Sequence, residues 1–200
     1  MKPTDGSEQQ SSDRQSSVSD GDRGHLLQAR DLALGGLFGA LGITAPMLFH
    51  AVGLGKVFMP MYLPILALGL LVSWQVALVV GCATPLLSAI LTGMPPLAPP
   101  IAGLMACELG ALAMVASLVR AHGLGVWPAT VAAVIASRVV GVVGLITLGR
   151  LLGLSQGVWE YAIISVLLSW PGIALQFTVV PGAVYAIERA SILGPRWQRS

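Results

Sequence analysis

Two ionisable side chains lie inside apolar runs of membrane length, and they are the residues best placed to do chemistry. Glu108 falls in the run from Pro100 to Val119, and Arg138 near the middle of the run from Trp127 to Gly149. A charge at such a depth is costly, and by default it marks a site with a partner inside the bundle. An acid and a base so placed can form a closed ion pair that only fixes helix register, or can hold a polar solute in a cavity open to one side. Glu108 has a second distinction. It follows, within about two helical turns, the stretch TGMPPLAPP, in which Pro95, Pro96, Pro99 and Pro100 cannot continue a helix. The backbone there is extended, and its polar groups must find water or packed protein.

The elements that must hold these groups are set by composition. The chain has 200 residues, of which 55% are hydrophobic and only 10% charged, where roughly 25% charged is usual for a soluble domain. With a mean hydropathy of +0.80, this is an all-α membrane protein of about six transmembrane helices. The net charge of +2, without a basic stripe, gives no footprint for nucleic acid. There is no GxxxxGK[ST] phosphate loop, no HExxH motif or His/Cys cluster, and no GxSxG elbow, so the reading is of a non-enzyme that needs neither metal nor cofactor. Cys82 and Cys107 sit in apolar runs as small hydrophobes.

Residues 1–29, rich in Ser, Gln, Asp and Gly, bury too little apolar surface to order and read as a disordered cytoplasmic tail. Residues 30–190 form the membrane domain and 191–200 a short cytoplasmic tail. The first span, from about Asp31 to Phe49, places Gly35, Gly36, Gly39 and Ala40 so that one face is nearly bare, either for packing within the chain or for docking a second membrane protein. A loop with His50 and Lys56 follows. The apolar run from about Met61 to Ser73 is short for a crossing, and so is either tilted with its flanks or partly re-entrant. Trp74 to Leu91 makes the third span, with Pro85 as a kink; Pro100–Val119 and Trp127–Gly149 are the fourth and fifth. In the last run, from Val158 to about Ile187, Pro171 and Pro181 are interruptions.

Six spans put both termini on one side, and the distribution of Arg23, Arg30, Arg120, Arg189, Arg196 and Arg199 makes that side cytoplasmic. At 1.5 Å per residue, Glu108 then lies roughly 12 Å and Arg138 about 14 Å below the outer boundary. They are level. Cys82 and Cys107 differ in height by about 7 Å, which argues against a disulfide. Of the remaining candidates, Met94, Pro95 and Pro96 lie in the outer loop, Lys56 could attract anions, His50 sits at the headgroup level, and Trp170 beside Pro171 could wall a pocket. Gln176 reads as glue between helices.

Several stretches resemble one family, the substrate-binding S components of energy-coupling factor (ECF) vitamin transporters. PMLFHAVGLGKVFMPMYLPILALGLL is similar to the family's first loop and second span, TPLLSAILTGMPPLAPPIAGLMACELGALA to its third loop and fourth span, and WPGIALQFTVVPGAVYAIER to its last helix. Tyr62 stands where a histidine is expected in MPMYLP, so no ligand role is carried to it. The resemblance implies a subunit of the bacterial cytoplasmic membrane that captures a vitamin or related micronutrient from outside. It implies as partners a transmembrane coupling subunit, docked on Gly35, Gly36, Gly39 and Ala40, and two cytoplasmic ATPases. Glu108 and Arg138 would hold the solute, with Met94, Pro95 and Pro96 as the lid. The residues alone also admit a stand-alone proton-coupled carrier or an intramembrane enzyme that uses Glu108, and a scaffold without a ligand.

Overall fold

In a computed structural model, residues 29–49, 60–96, 101–151, 153 and 170–189 are described; His50, Lys56, Trp159 and both expected tails, except Ala29, lie outside them. The described residues form six helices: α1 (Ala29–Phe49), α2 (Tyr62–Leu71), α3 (Trp74–Thr92), α4 (Ile101–Ala121), α5 (Val126–Leu151) and α6 (Trp170–Arg189). Five of them, all but α2, are long and apolar enough to cross a membrane. The chain is a multi-pass membrane protein. The first turn of α1, through Ala33, belongs to a separate N-terminal unit, and the helical bundle runs from Leu34 onward.

α2 is the centre of the bundle. Its ten residues, YLPILALGLL, have no polar face, and a helix apolar all round must be buried all round. Ile65, Leu66, Leu68 and Leu70 are wholly inaccessible. At about 15 Å long it covers half of a bilayer core, so α2 by itself is a half-helix enclosed by the others. A Cβ on Gly69 would lie 2.5 Å from the carbonyl oxygen of Ala113, so only glycine allows α2 and α4 to approach backbone to backbone. At the same end, the buried Ser117 hydroxyl donates to the Val72 carbonyl at 2.6 Å and satisfies the chain where α2 stops.

The long helices sort their faces by size rather than by polarity, because lipid tails are as apolar as leucine. On α5 the buried positions include Ala129, Thr130, Ala133, Ser137 and Gly141, whereas Trp127, Val131, Ile135, Val139 and Val143, each four residues on, are exposed. On α4 the buried face is Ala102, Ala106, Leu109, Gly110, Ala113 and Ala116. α3 ends at Gly93, whose φ of 71° closes the helix with its N–H on the Ala89 carbonyl at 3.0 Å. Ser88 and Thr92 then donate to the Met94 carbonyl at 2.8 and 3.2 Å and tie the proline loop to α3.

One expectation changes. Pro85 and Pro181 both lie inside continuous helices, so Pro181 does not interrupt α6. Proline costs a helix one N–H bond, and surrounding helices can take over the freed carbonyl when the site is buried, as it is at both prolines. Pro171 occupies the first turn of α6, where no N–H is required.

One end of the bundle is closed by an ion pair between Arg120 of α4 and Glu188 of α6, their side chains 7% and 17% exposed. Removing one member of such a pair strands the other charge, at a cost of about 3–5 kcal/mol, whereas replacing both by apolar groups is close to neutral. Arg120→Met is therefore expected to lower the thermal midpoint of the detergent-solubilised protein sharply, and Arg120→Met with Glu188→Met to recover most of it. A double variant no better than the single would show that the two residues do not act as a pair.

Candidate functional site

The half-helix α2 begins inside the bundle, and its first residue, Tyr62, is 3% exposed. The Tyr62 hydroxyl donates to Oε2 of Glu108 on α4. The guanidinium carbon of Arg138 on α5 lies 5.3 Å from the centroid of the Tyr62 ring, within the range of a cation–π contact. Arg138 is also near enough for its charge to act on the Glu108 carboxylate. One aromatic ring thus joins an acid and a base from two other helices.

Register explains the meeting. α4 and α5 are antiparallel, with Gly141 opposite Glu108 and Gly144 opposite Leu104. Glu108 stands twelve residues before Arg120, and Arg138 twelve after Val126, the first residue of α5. At 1.5 Å per residue, both are about 18 Å from the Arg120 end. Gly141, one turn beyond Arg138, makes the space: a Cβ there would clash with Oε1 of Glu108. The equal depth expected for Glu108 and Arg138 is what the bundle displays, with Tyr62 between them.

Tyr62 was not among the expected site residues, since the resemblance gave it no role. The signal available was its place at the head of the shortest apolar run, where a polar tip must find a partner once buried. Gln176, read as glue between helices, is wholly buried on the inner face of α6, yet neither amide atom makes a hydrogen bond among the described residues.

The other candidates fall elsewhere. Met94 is 55% exposed, Pro95 half-buried and Pro96 exposed, at the head of α4. The Pro96 carbonyl accepts from the Ala102 N–H at 3.2 Å, so the loop is stitched directly to the helix that carries Glu108. Glu108 is seven residues into α4, about 10 Å below its start. Trp170 is the first residue of α6 and 70% exposed. His50 and Lys56 lie outside the described residues. The four small residues of α1 divide between two faces. Gly35 and Gly39 pack against Val76 and Val80 of α3, whereas Gly36 and Ala40 are exposed. Both cysteines are free thiols.

A tyrosine ring with a charge on its face and a carboxylate accepting its hydroxyl are groups of the kind that recognise a small polar or aromatic solute. No family model matches the chain, and no curated protein or solved structure matches it either.

Proposed function

We propose that this protein is the solute-capturing membrane subunit of an ECF-type transporter for a vitamin or related micronutrient. The observation that carries the reading is the Tyr62–Glu108–Arg138 cluster, a polar centre contributed by three helices deep inside an apolar bundle. Such groups are expensive in a membrane and persist where they serve a pathway or a ligand. The chain sits in the bacterial cytoplasmic membrane with both termini inside, so that the Arg120–Glu188 end faces the cytoplasm and the proline loop faces out, over the solute. Gly36 and Ala40, on the open face of α1, have the small-residue spacing that suits close approach of a coupling subunit. The chain carries no phosphate loop of its own, so energy comes from the partner ATPases.

The test is uptake by cells that express the chain, with and without those ATPases, together with mass spectrometry of whatever small molecule co-purifies. Uptake that stops without the ATPases is the expected result. Uptake driven by a proton gradient into liposomes containing this chain alone would replace the reading with a secondary carrier. A protein that retains no small molecule and supports no uptake would replace it with a scaffold.

A further inference from the structure

The polar groups of the cluster serve one another. The Tyr62 hydroxyl is bonded to Oε2 of Glu108, and Oε1 of the same carboxylate is seated against Gly141, where a Cβ would clash with it. The guanidinium of Arg138 lies over the Tyr62 ring. A solute that uses this carboxylate therefore finds one oxygen on the protein's own donor and the other turned into the α4–α5 contact.

The helix that brings the donor is held differently at its two ends. Toward its last residues α2 is pinned: the Ser117 hydroxyl donates to the Val72 carbonyl at 2.6 Å, and Gly69 lies against the Ala113 backbone. At its head the Met61 N-cap supplies no side-chain hydrogen bond, and the polar tie there is the one that Tyr62 makes. Met61 and Tyr62 are 4% and 3% exposed. In an interior packed that closely the ring cannot swing aside alone, so the head of α2 must move with it.

We infer that Tyr62 is an internal latch: its hydroxyl stands in on Glu108 for a hydrogen-bond donor of the solute, and the solute enters by displacing it together with the head of α2. This rests on the capture reading above. The exchange conserves hydrogen bonds, since the carboxylate gives up a phenolic O–H and takes an N–H or O–H from the solute, which must carry at least one such donor. The latch serves the empty protein, because a carboxylate in an apolar bundle is costly without a partner and Tyr62 supplies one until the solute does. It also restrains binding, because apparent affinity falls with the fraction of molecules that are unlatched.

Tyr62→Phe removes the latch and keeps the ring, Glu108 and Gly141. Glu108 is the only carboxylate between Lys56 and Arg120, so its reaction with a carbodiimide is read on one peptide by mass spectrometry. The full chain is reconstituted in liposomes, dialysed free of small molecules and treated with a water-soluble cationic carbodiimide and glycine methyl ester. Tyr62→Phe is expected to be labelled about 10- to 100-fold faster than the parent, the size of one hydrogen bond to a charged group. Dicyclohexylcarbodiimide, which reaches carboxyl groups through lipid, is the control: a change in the protonation of Glu108 raises both rates alike, whereas opening toward water raises only the first. Ser117→Ala loosens the pinned end of α2 and leaves the Tyr62 hydroxyl in place, and should label as the parent does. The latch is overturned if Tyr62→Phe is labelled no faster by the water-soluble reagent, if both reagents gain equally, or if Ser117→Ala gains as much. Capture is judged separately, on whether a small molecule stays with the parent protein through purification. Equal labelling with a retained molecule strikes the latch and leaves capture; faster labelling with none retained strikes capture and leaves Tyr62 guarding Glu108.

Discussion

Glu108→Gln is expected to leave the purified protein empty of solute and to abolish uptake, and Arg138→Gln to do the same. Glu108→Gln keeps the side-chain length, Arg138→Gln shortens it, and each removes one charge from the cluster around Tyr62. Both residues are half-buried, and losing a hydrogen bond or contact that carries charge costs about 1.5–3 kcal/mol, roughly a 10- to 100-fold loss if it falls on binding. The pair of changes together is the sharper experiment. With Glu108→Gln and Arg138→Gln combined, no charge is stranded, so the thermal midpoint should return close to that of the parent. Solute should stay absent, because the groups that hold it are gone. Should the double variant regain uptake along with stability, Glu108 and Arg138 would be a register-fixing pair and the solute site would lie elsewhere.

Gly141→Ala is the second change with a large expected effect, although it adds a single methyl group. That methyl would fall on Oε1 of Glu108, and the carboxylate would have to swing away from the Tyr62 hydroxyl that now donates to it. Overpacking of this kind costs about 1–3 kcal/mol, and the geometry of the cluster is lost with it. Solute affinity is expected to drop roughly 10- to 100-fold, with a lowered midpoint. Gly36→Ala is the matched control. Nothing lies within 4 Å of the added atom there, so folding and solute binding should both be unchanged. Equal effects at the two positions would mean that helix propensity, not contact with Glu108, governs the response.

Much of this architecture was legible before any coordinates, and the reasons are physical. Membrane helices announce themselves by length and hydropathy, so α1, α3, α4 and α5 begin and end within a few residues of the runs that suggested them. A rise of 1.5 Å per residue is a ruler, and it put Glu108 and Arg138 at one height because both are counted from helix ends in water. What a ruler cannot give is rotation. Tyr62 escaped notice because its partner is on another helix, 46 residues away, and no periodicity in YLPILALGLL singles out one face. Gly35 and Gly36 are adjacent, yet one packs on α3 and the other is bare, a difference set by how α1 turns toward its neighbour. Pro181 misled in another way. Within one helix a proline reads as a break, but whether the helix breaks depends on neighbours that the local sequence does not describe.

Beneath Tyr62, toward the Arg120–Glu188 tie, the interior is a solid stopper: Leu66, Leu70, Leu112, Ala116 and Val184 are all wholly inaccessible. The stopper is about 18 Å thick, and threading it would mean prying apart tightly meshed aliphatic side chains and tearing the tie open. On the capture proposal, a solute held beside the tyrosine would have to enter and leave on the side away from this plug, and delivery would depend on which compartment that side faces.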